Sequence, residues 1–227
     1  MVDSSTAEDP LQLHGLPQPL ILGSASFTRK LILKEMGVSY QIVVRPIDEK
    51  LWGDRQNDEP RDLVLTLAKA KCSHLVNEIQ NGNTEVDATK EWVVLTGDQV
   101  VTHDGNILEK PENLDECLDF VTRYGESPPS TVGSCVLTHI PSGIQVAGTD
   151  TATIHFKPTV ATSNLVDRLV EDGAPVLSCA GGLMVEHPFV KEHIDRIDGT
   201  EDSVMGLSKD LVLRLLEELS NKLKNGN

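Results

Sequence analysis

Seven residues near the start of the chain, Gly23-Ser24-Ala25-Ser26-Phe27-Thr28-Arg29, combine small side chains, hydroxyls and one guanidinium. Between a strand and a helix, such a stretch leaves backbone N–H groups facing an anion, and the helix dipole adds about half a positive charge. Ser24 and Ser26 can donate to phosphate oxygens, and Arg29, one turn in, can fork onto them. A plainer reading uses the same residues, with Ser26 as a helix cap and Arg29 as a solvated side chain. The glycine spacing of a P-loop or a dinucleotide fingerprint is absent.

Lys71 is out of place in a different way. Over 60–79 the apolar residues Leu63, Val64, Leu67, Ala68, Leu75 and Ile79 recur at helical spacing. Lys71 falls inside that stripe and Lys69 outside it. A lysine on a buried face must snorkel to water or meet an anion. Asp98 ends the apolar run WVVLTGD, where a strand would deliver it to a ligand crevice. A carboxylate there suits metal binding or activation of water, or else it is a turn residue. Glu49, after a second apolar run, is a candidate second metal-binding acid, and Lys110 in Lys110-Pro111 is a candidate phosphate contact or a surface lysine.

The elements that must position these residues can be read around them. Residues 1–18, polar and with Pro10 and Pro17, read as a loose tail ahead of a single domain over 19–227. Strands are expected at 20–22, 40–44 and 92–95. Asp104-Gly105 marks a hairpin turn, and longer β segments follow at 132–140 and 144–156. Helices are expected at 27–37, 60–79, 114–124, 163–171 and 208–223. The charged segment 47–59 and the acid-rich segment holding Asp195, Asp198, Glu201 and Asp202 read as irregular, the latter as a solvated loop without the oxygen register of an EF-hand. The sum is an α/β chain, α+β in character, with a mixed sheet.

Composition limits what the site can serve. The 227 residues carry 35 acids against 20 Lys and Arg, a formal net charge of -15. Such a surface repels a phosphodiester backbone, so a nucleic-acid polymer is not the expected partner. A small phosphorylated ligand remains open, since a few cations in one cleft override the distant field. No run reaches membrane-spanning length, and the acidic start is unlike a secretory signal. Cys72, Cys117, Cys135 and Cys179 lie far apart, as reduced cytoplasmic thiols do. His187 and His193 lack the spacing of a helical zinc pair. The residues therefore describe equipment for metal-assisted attack on a phosphoanhydride, without naming the substrate.

Taken in order, several stretches resemble the Maf family of septum-formation-type nucleotide pyrophosphatases. They are LILGSASFTRKLILKEMG, the acid in PIDEK, LVLTLAKAKC, VVLTGDQVV, EKP, SCAGGLMVEHP and SVMGL, spread over about residues 20–219. The resemblance implies an elongated α/β fold, shared with inosine triphosphatases, with a cleft between two lobes. It implies hydrolysis of a nucleoside triphosphate to monophosphate and pyrophosphate with Mg²⁺ or Mn²⁺, and subunits that pair as homodimers. By the same resemblance Ser24, Ser26 and Arg29 belong to the phosphate loop, Lys71 is the cleft lysine and Lys110 a further substrate contact. Asp98 is then the general base, and Asp98 with Glu49 holds the metal.

Thr28, Gln99 and Glu186 stand where the resemblance sets base selectivity. The branch associated with dTTP and UTP carries two basic residues after the serines, a Thr after the Asp and a Gln in the later glycine motif. Gln99 and Glu186 are similar instead to the branch associated with 7-methyl-GTP, whereas Thr28 matches neither. The alternatives are a dTTP/UTP pyrophosphatase and a nucleotide-binding regulator of cell division without catalysis.

Overall fold

The structure, a computed structural model, describes residues 8–226. Its strands are β1 (Leu20–Leu22), β2 (Tyr40–Ile42), β3 (Trp92–Thr96), β4 (Gln99–His103), β5 (Asn106–Leu108), β6 (Ser130–Ile140), β7 (Gln145–Phe156) and β8 (Ile194–Asp198). All join one mixed sheet in the order β2-β1-β3-β6-β4-β5, with β7 also paired to β6 and β8 to β7. β1 runs parallel to β2 and β3; every other pairing is antiparallel. The helices are α1 (Pro10–Leu13), α2 (Phe27–Glu35), α3 (Pro60–Gln80), α4 (Leu114–Tyr124), α5 (Leu165–Glu171), α6 (Pro188–Lys191), α7 (Glu201–Met205) and α8 (Lys209–Asn225).

Local chemistry accounts for the boundaries. Pro60 opens α3 where its missing N–H costs no hydrogen bond. Asn113 caps α4 by accepting from the Glu116 N–H at 2.9 Å, and Cys117, Phe120, Val121 and Tyr124 then turn one face inward. The β4–β5 hairpin turns on Asp104 and Gly105, both at positive φ, as a two-residue turn of matching twist requires. Period-two alternation divides the core. Leu20, Leu22, Val93 and Leu95 pack on one face with Ile32, Leu33 and the apolar side of α8. Ile21, Val94 and Val136 pack on the other with Ala68, Leu75 and Ile79 of α3. Val101, Ile154, Phe156 and residues of α4, α5 and α6 form a further cluster, beside the β4 end of β6.

β3 and β4 lie end to end along one edge of β6. Thr96 opposes Val136 and Gln99 opposes Gly133, the same offset on both sides of Gly97-Asp98. The line of pairing is therefore interrupted without losing register. At the gap Asp98 O accepts from the Ser134 N–H at 2.9 Å, while the Asp98 N–H turns to Ser134 Oγ at 3.1 Å. Gly97 is required by close approach, since a Cβ there would lie 2.5 Å from Ser134 O.

Two expectations need correction. Within the expected tail 1–18, residues 10–13 form α1, and Leu11 and Leu16 are buried against Leu215, Leu216 and Leu219. Asp9 caps α1 and also accepts from the Ser39 N–H and hydroxyl at 2.8 and 2.6 Å. Two leucines and one capping acid thus hold a segment whose prolines suggested none; residues 1–7 lie outside the described residues. The expected acidic loop is instead β8 and α7. Ile194 and Ile197 face the core cluster while Asp195, Arg196 and Asp198 stay exposed; three residues apart, the two isoleucines reach one face because the register with β7 slips at His155/Phe156, leaving Asp195 out of the pairing.

Gly97→Ala should lower the unfolding free energy by about 2 kcal/mol or more, the scale of a backbone clash in a packed sheet. Gly133→Ala, whose Cβ would meet nothing closer than Asp98 O at 4.0 Å, should cost much less. Urea unfolding of both variants checks the contrast.

Candidate active site

The interruption between β3 and β4 sets Asp98 beside the long helix α3. Two side chains fix that helix against it: Thr96 Oγ1 donates to Ala68 O at 2.8 Å, and Ser134 Oγ donates to Val64 O at 2.8 Å. With α3 held in this register, Lys71 leaves its apolar stripe toward the gap while Lys69 is exposed. Lys71 Nζ donates to Asp98 Oδ1 at 2.5 Å and lies 2.8 Å from Glu49 Oε1. Glu49 reaches this point on a short 3-10 turn, Glu49–Leu51, which Asp48 caps. Its second oxygen meets Arg55 at 3.2 Å, and Arg55 also meets Glu109 at 3.0 Å.

Ser24 is buried and takes the Ser26 N–H at 3.2 Å. Ser26 caps α2, accepting from the Arg29 N–H at 3.4 Å and sharing a 2.9 Å hydrogen bond with the Thr28 hydroxyl. Arg29 turns inward. Its Nη1 donates to Gly97 O at 2.8 Å and to Ser24 Oγ at 3.3 Å, and its Nε donates to Gly206 O at 3.0 Å. Both readings of the loop therefore meet in the same residues. Ser26 is a cap, yet Arg29 is neither solvated nor free to fork, because two of its nitrogens tie the loop to the β3–β4 gap and to α7.

The electrostatics separate the two acids. Burial pushes the Asp98 carboxyl above its ordinary pKa, against the pull of Lys71 and Arg29. Burial acts in the same sense on Glu49, but there the Lys71 hydrogen bond and the charges of Lys71, Arg55 and Lys110 outweigh it, leaving Glu49 below its ordinary value. The Arg29 pKa is lowered by burial despite the carboxylates nearby.

A cavity of about 850 Å³ opens next to this cluster. Ser26, Phe27, Thr28 and Gln99 line it on the cluster's side. Glu186, Cys179 and the apolar Val101, Ile154, Phe156 and Met184 line the rest. The three expected selectivity residues, Thr28, Gln99 and Glu186, thus share one hollow. Gln99 is partly committed: its amide nitrogen donates to Ser203 O at 3.1 Å and Val204 O at 2.9 Å, at the end of α7. Tyr124 donates to Gly181 O at 2.8 Å and stacks on Phe156, which braces the wall holding Cys179 and Glu186. Lys110 is exposed, and its charge acts on both Glu49 and Cys179, at the rim between cluster and cavity.

Sequence reasoning missed Arg55, Ser134 and Tyr124. Arg55 gives no signal inside a charged loop. Ser134 does, as a small polar residue amid the apolar core of β6. Among the described residues no group of three His, Cys, Asp or Glu side chains is placed to hold a metal ion. Asp98 and Glu49 are a pair of hard oxygen donors, a set that fits Mg²⁺ or Mn²⁺ when phosphate oxygens and water complete the shell.

A strand-end carboxylate, a half-buried lysine and a serine-rich helix start, beside one cavity, define a site for a phosphorylated small molecule. Residues 19–219 match the family described as Maf-like protein, and the chain belongs to that family. It is 36% identical over 203 residues to a 7-methyl-GTP pyrophosphatase of Dictyostelium discoideum, covering 89% of this chain and 98% of the relative. It is 29% identical to a nucleoside triphosphate pyrophosphatase of Salinispora tropica, covering 90% and 85% of the two chains. A dTTP/UTP pyrophosphatase of Dehalococcoides mccartyi is 26% identical over 92% of this chain and 85% of its own.

Carboxylate-detected NMR titration of the ligand-free protein should place the Asp98 pKa above the ordinary aspartate range and Glu49 below the glutamate range. Lys71→Met should move both upward, since it removes the cation that favours each ionised form. Ordinary values for both acids would contradict the arrangement.

Proposed function

We propose that this chain hydrolyses a nucleoside triphosphate between its α- and β-phosphates, releasing nucleoside monophosphate and pyrophosphate. The observation that carries the reading is a buried carboxylate, Asp98, held on Lys71 beside a cavity of nucleoside size that its neighbour Gln99 and the Ser26–Thr28 part of the loop line. Relatives bearing pyrophosphatase names across nearly the full chain support it.

In this reading the base and ribose enter the cavity and the triphosphate crosses the start of α2. A water oxygen bonds to the α-phosphorus, its proton passes to Asp98, and the bond to the bridging oxygen breaks with pyrophosphate departing. The raised pKa of Asp98 makes it a stronger base than an ordinary aspartate. Lys71, Lys110 and the N–H groups beside Ser24 and Ser26 face the charge that grows on the leaving group. Arg29 keeps the loop in place for them through Gly97 O and Gly206 O. Asp98 and Glu49 would hold a divalent ion, which when bound neutralises phosphate charge and lowers the pKa of coordinated water.

The finer reading concerns the base. Glu186 is the only carboxylate among the residues lining the cavity. It can accept from the N1–H and amino edge of guanine, and it favours a base with positive charge, which methylation at N7 gives guanine. The 36% relative is named for that substrate. Free thiols at Cys72, Cys117, Cys135 and Cys179 support a cytoplasmic setting, and no described helix is long and apolar enough to cross a membrane.

A panel of triphosphates with Mg²⁺, scored for pyrophosphate, tests the reaction; orthophosphate as the product would end it. Asp98→Asn should bind nucleotide yet lose about 10²- to 10⁴-fold in turnover, the range of a lost general base. Glu186→Gln should lower the preference for 7-methyl-GTP over UTP and dTTP more than it lowers the maximal rate. An unchanged ranking would remove Glu186 from base recognition.

A further inference from the structure

The acid pair already has a cation of its own. Lys71 Nζ sits 2.5 Å from Asp98 Oδ1 and 2.8 Å from Glu49 Oε1, and Arg55 holds the other Glu49 oxygen at 3.2 Å. Three of the four oxygens that could meet a divalent ion are therefore on protein cations. The Asp98 and Lys71 side chains keep only 11% and 22% of their surface exposed, so water screens their charges poorly. An ion placed between these carboxylates would lie in contact distance of an ammonium, and the like charges repel strongly there. No third carboxylate, His or Cys among the described residues stands ready to compensate.

We infer that Lys71 is the built-in competitor of the divalent ion, so that Asp98 and Glu49 take the ion only when a polyphosphate draws the ammonium away. A four-carbon side chain on a helix can swing its nitrogen from two carboxylates to phosphate oxygens without moving the backbone. The phosphate oxygens that receive Lys71 also supply the ligands the acid pair lacks. Ion and nucleotide then enter together, and the nucleotide-free site leaves divalent ions in solution. The inference rests on the proposed reading of Asp98 and Glu49 as the metal-holding pair.

The test uses the full chain without nucleotide, titrated with Mn²⁺ and followed by electron paramagnetic resonance of the free ion. Lys71→Met and Lys71→Gln should each bind Mn²⁺ about tenfold tighter or more than the parent, because a repelling unit charge has gone. Adding Asp98→Asn should abolish the gain. In EDTA the same Lys71 variants should bind inorganic tripolyphosphate more weakly than the parent. A lysine that merely supports the fold would not move the two affinities in opposite directions. Mn²⁺ should also raise the thermal midpoint of Lys71→Met more than that of the parent, and Lys71→Gln, which keeps a donor, serves if Lys71→Met folds poorly. Mn²⁺ affinity in both variants equal to or below the parent's would overturn the inference. Should that happen while Asp98→Asn still abolishes pyrophosphate release, the gating role fails alone and the hydrolytic reading stands.

Discussion

Keeping a carboxylate charged where little water reaches it is the demand around which this site is arranged. Asp98 lies in the gap of a strand line, with burial raising its pKa and two cations holding that rise in check. Leaving such a charge uncompensated is among the more destabilising things a fold can do. The compensation comes from distant segments: Lys71 from a 21-residue helix and Arg29 from the first turn of α2. Lys71 must arrive within hydrogen-bonding range of the carboxylate, while Arg29 acts through its charge from the neighbouring Gly97 O; that placement explains the polar anchors in an otherwise apolar interior. Thr96 and Ser134 donate to carbonyls of α3, and a helix so pinned cannot slide without taking Lys71 off the acid.

Arg29 and Gln99 connect the charged cluster to the cavity. Arg29 grips Gly206 O and Gln99 grips Ser203 O and Val204 O, so the end of α7 is held by residues flanking Asp98 and the serine loop. Val204 and Met205 of that helix line the cavity. The wall that would touch a base is thereby referenced to the same backbone gap as the carboxylate. Gly206, at a φ of 113°, lets the chain turn away directly after these carbonyls are used.

Much of this was legible in the residues because the signals were local. The helical stripe over 60–79 singled out Lys71, and the apolar run before Asp98 placed that acid at a strand end. Both outcomes follow from periodicity, which one element's sequence carries by itself. What could not be read was partnership across the chain. Nothing local to Arg29 says that its nitrogens will be used on Gly97 and Gly206, or that Gln99 will spend its amide on α7. Arg55 is one charge among many in 47–59 until Glu49 and Glu109 are seen on either side of it. β8 was hidden for a related reason. Its outward positions are charged, and its two isoleucines lack the strand period in sequence; only the register slip against β7 turns both inward.

The overall acidity and the local cations act at different ranges. A formal charge of -15 spreads over the whole chain and, screened beyond about 8 Å at physiological salt, disfavours long polyanions that must lie across the surface. Inside the cleft the balance reverses over a few ångströms, where Arg29, Lys71, Arg55 and Lys110 gather around Asp98, Glu49 and Glu109. A short, highly charged tail can reach that cluster while a duplex cannot follow it. The acids restrain the affinity of the cluster for phosphate, because Lys71 and Arg55 must leave a carboxylate before either can turn to a ligand. The ion pairs that hold the site together thus oppose the binding of a polyphosphate tail, a useful property where the departing product is itself a polyphosphate.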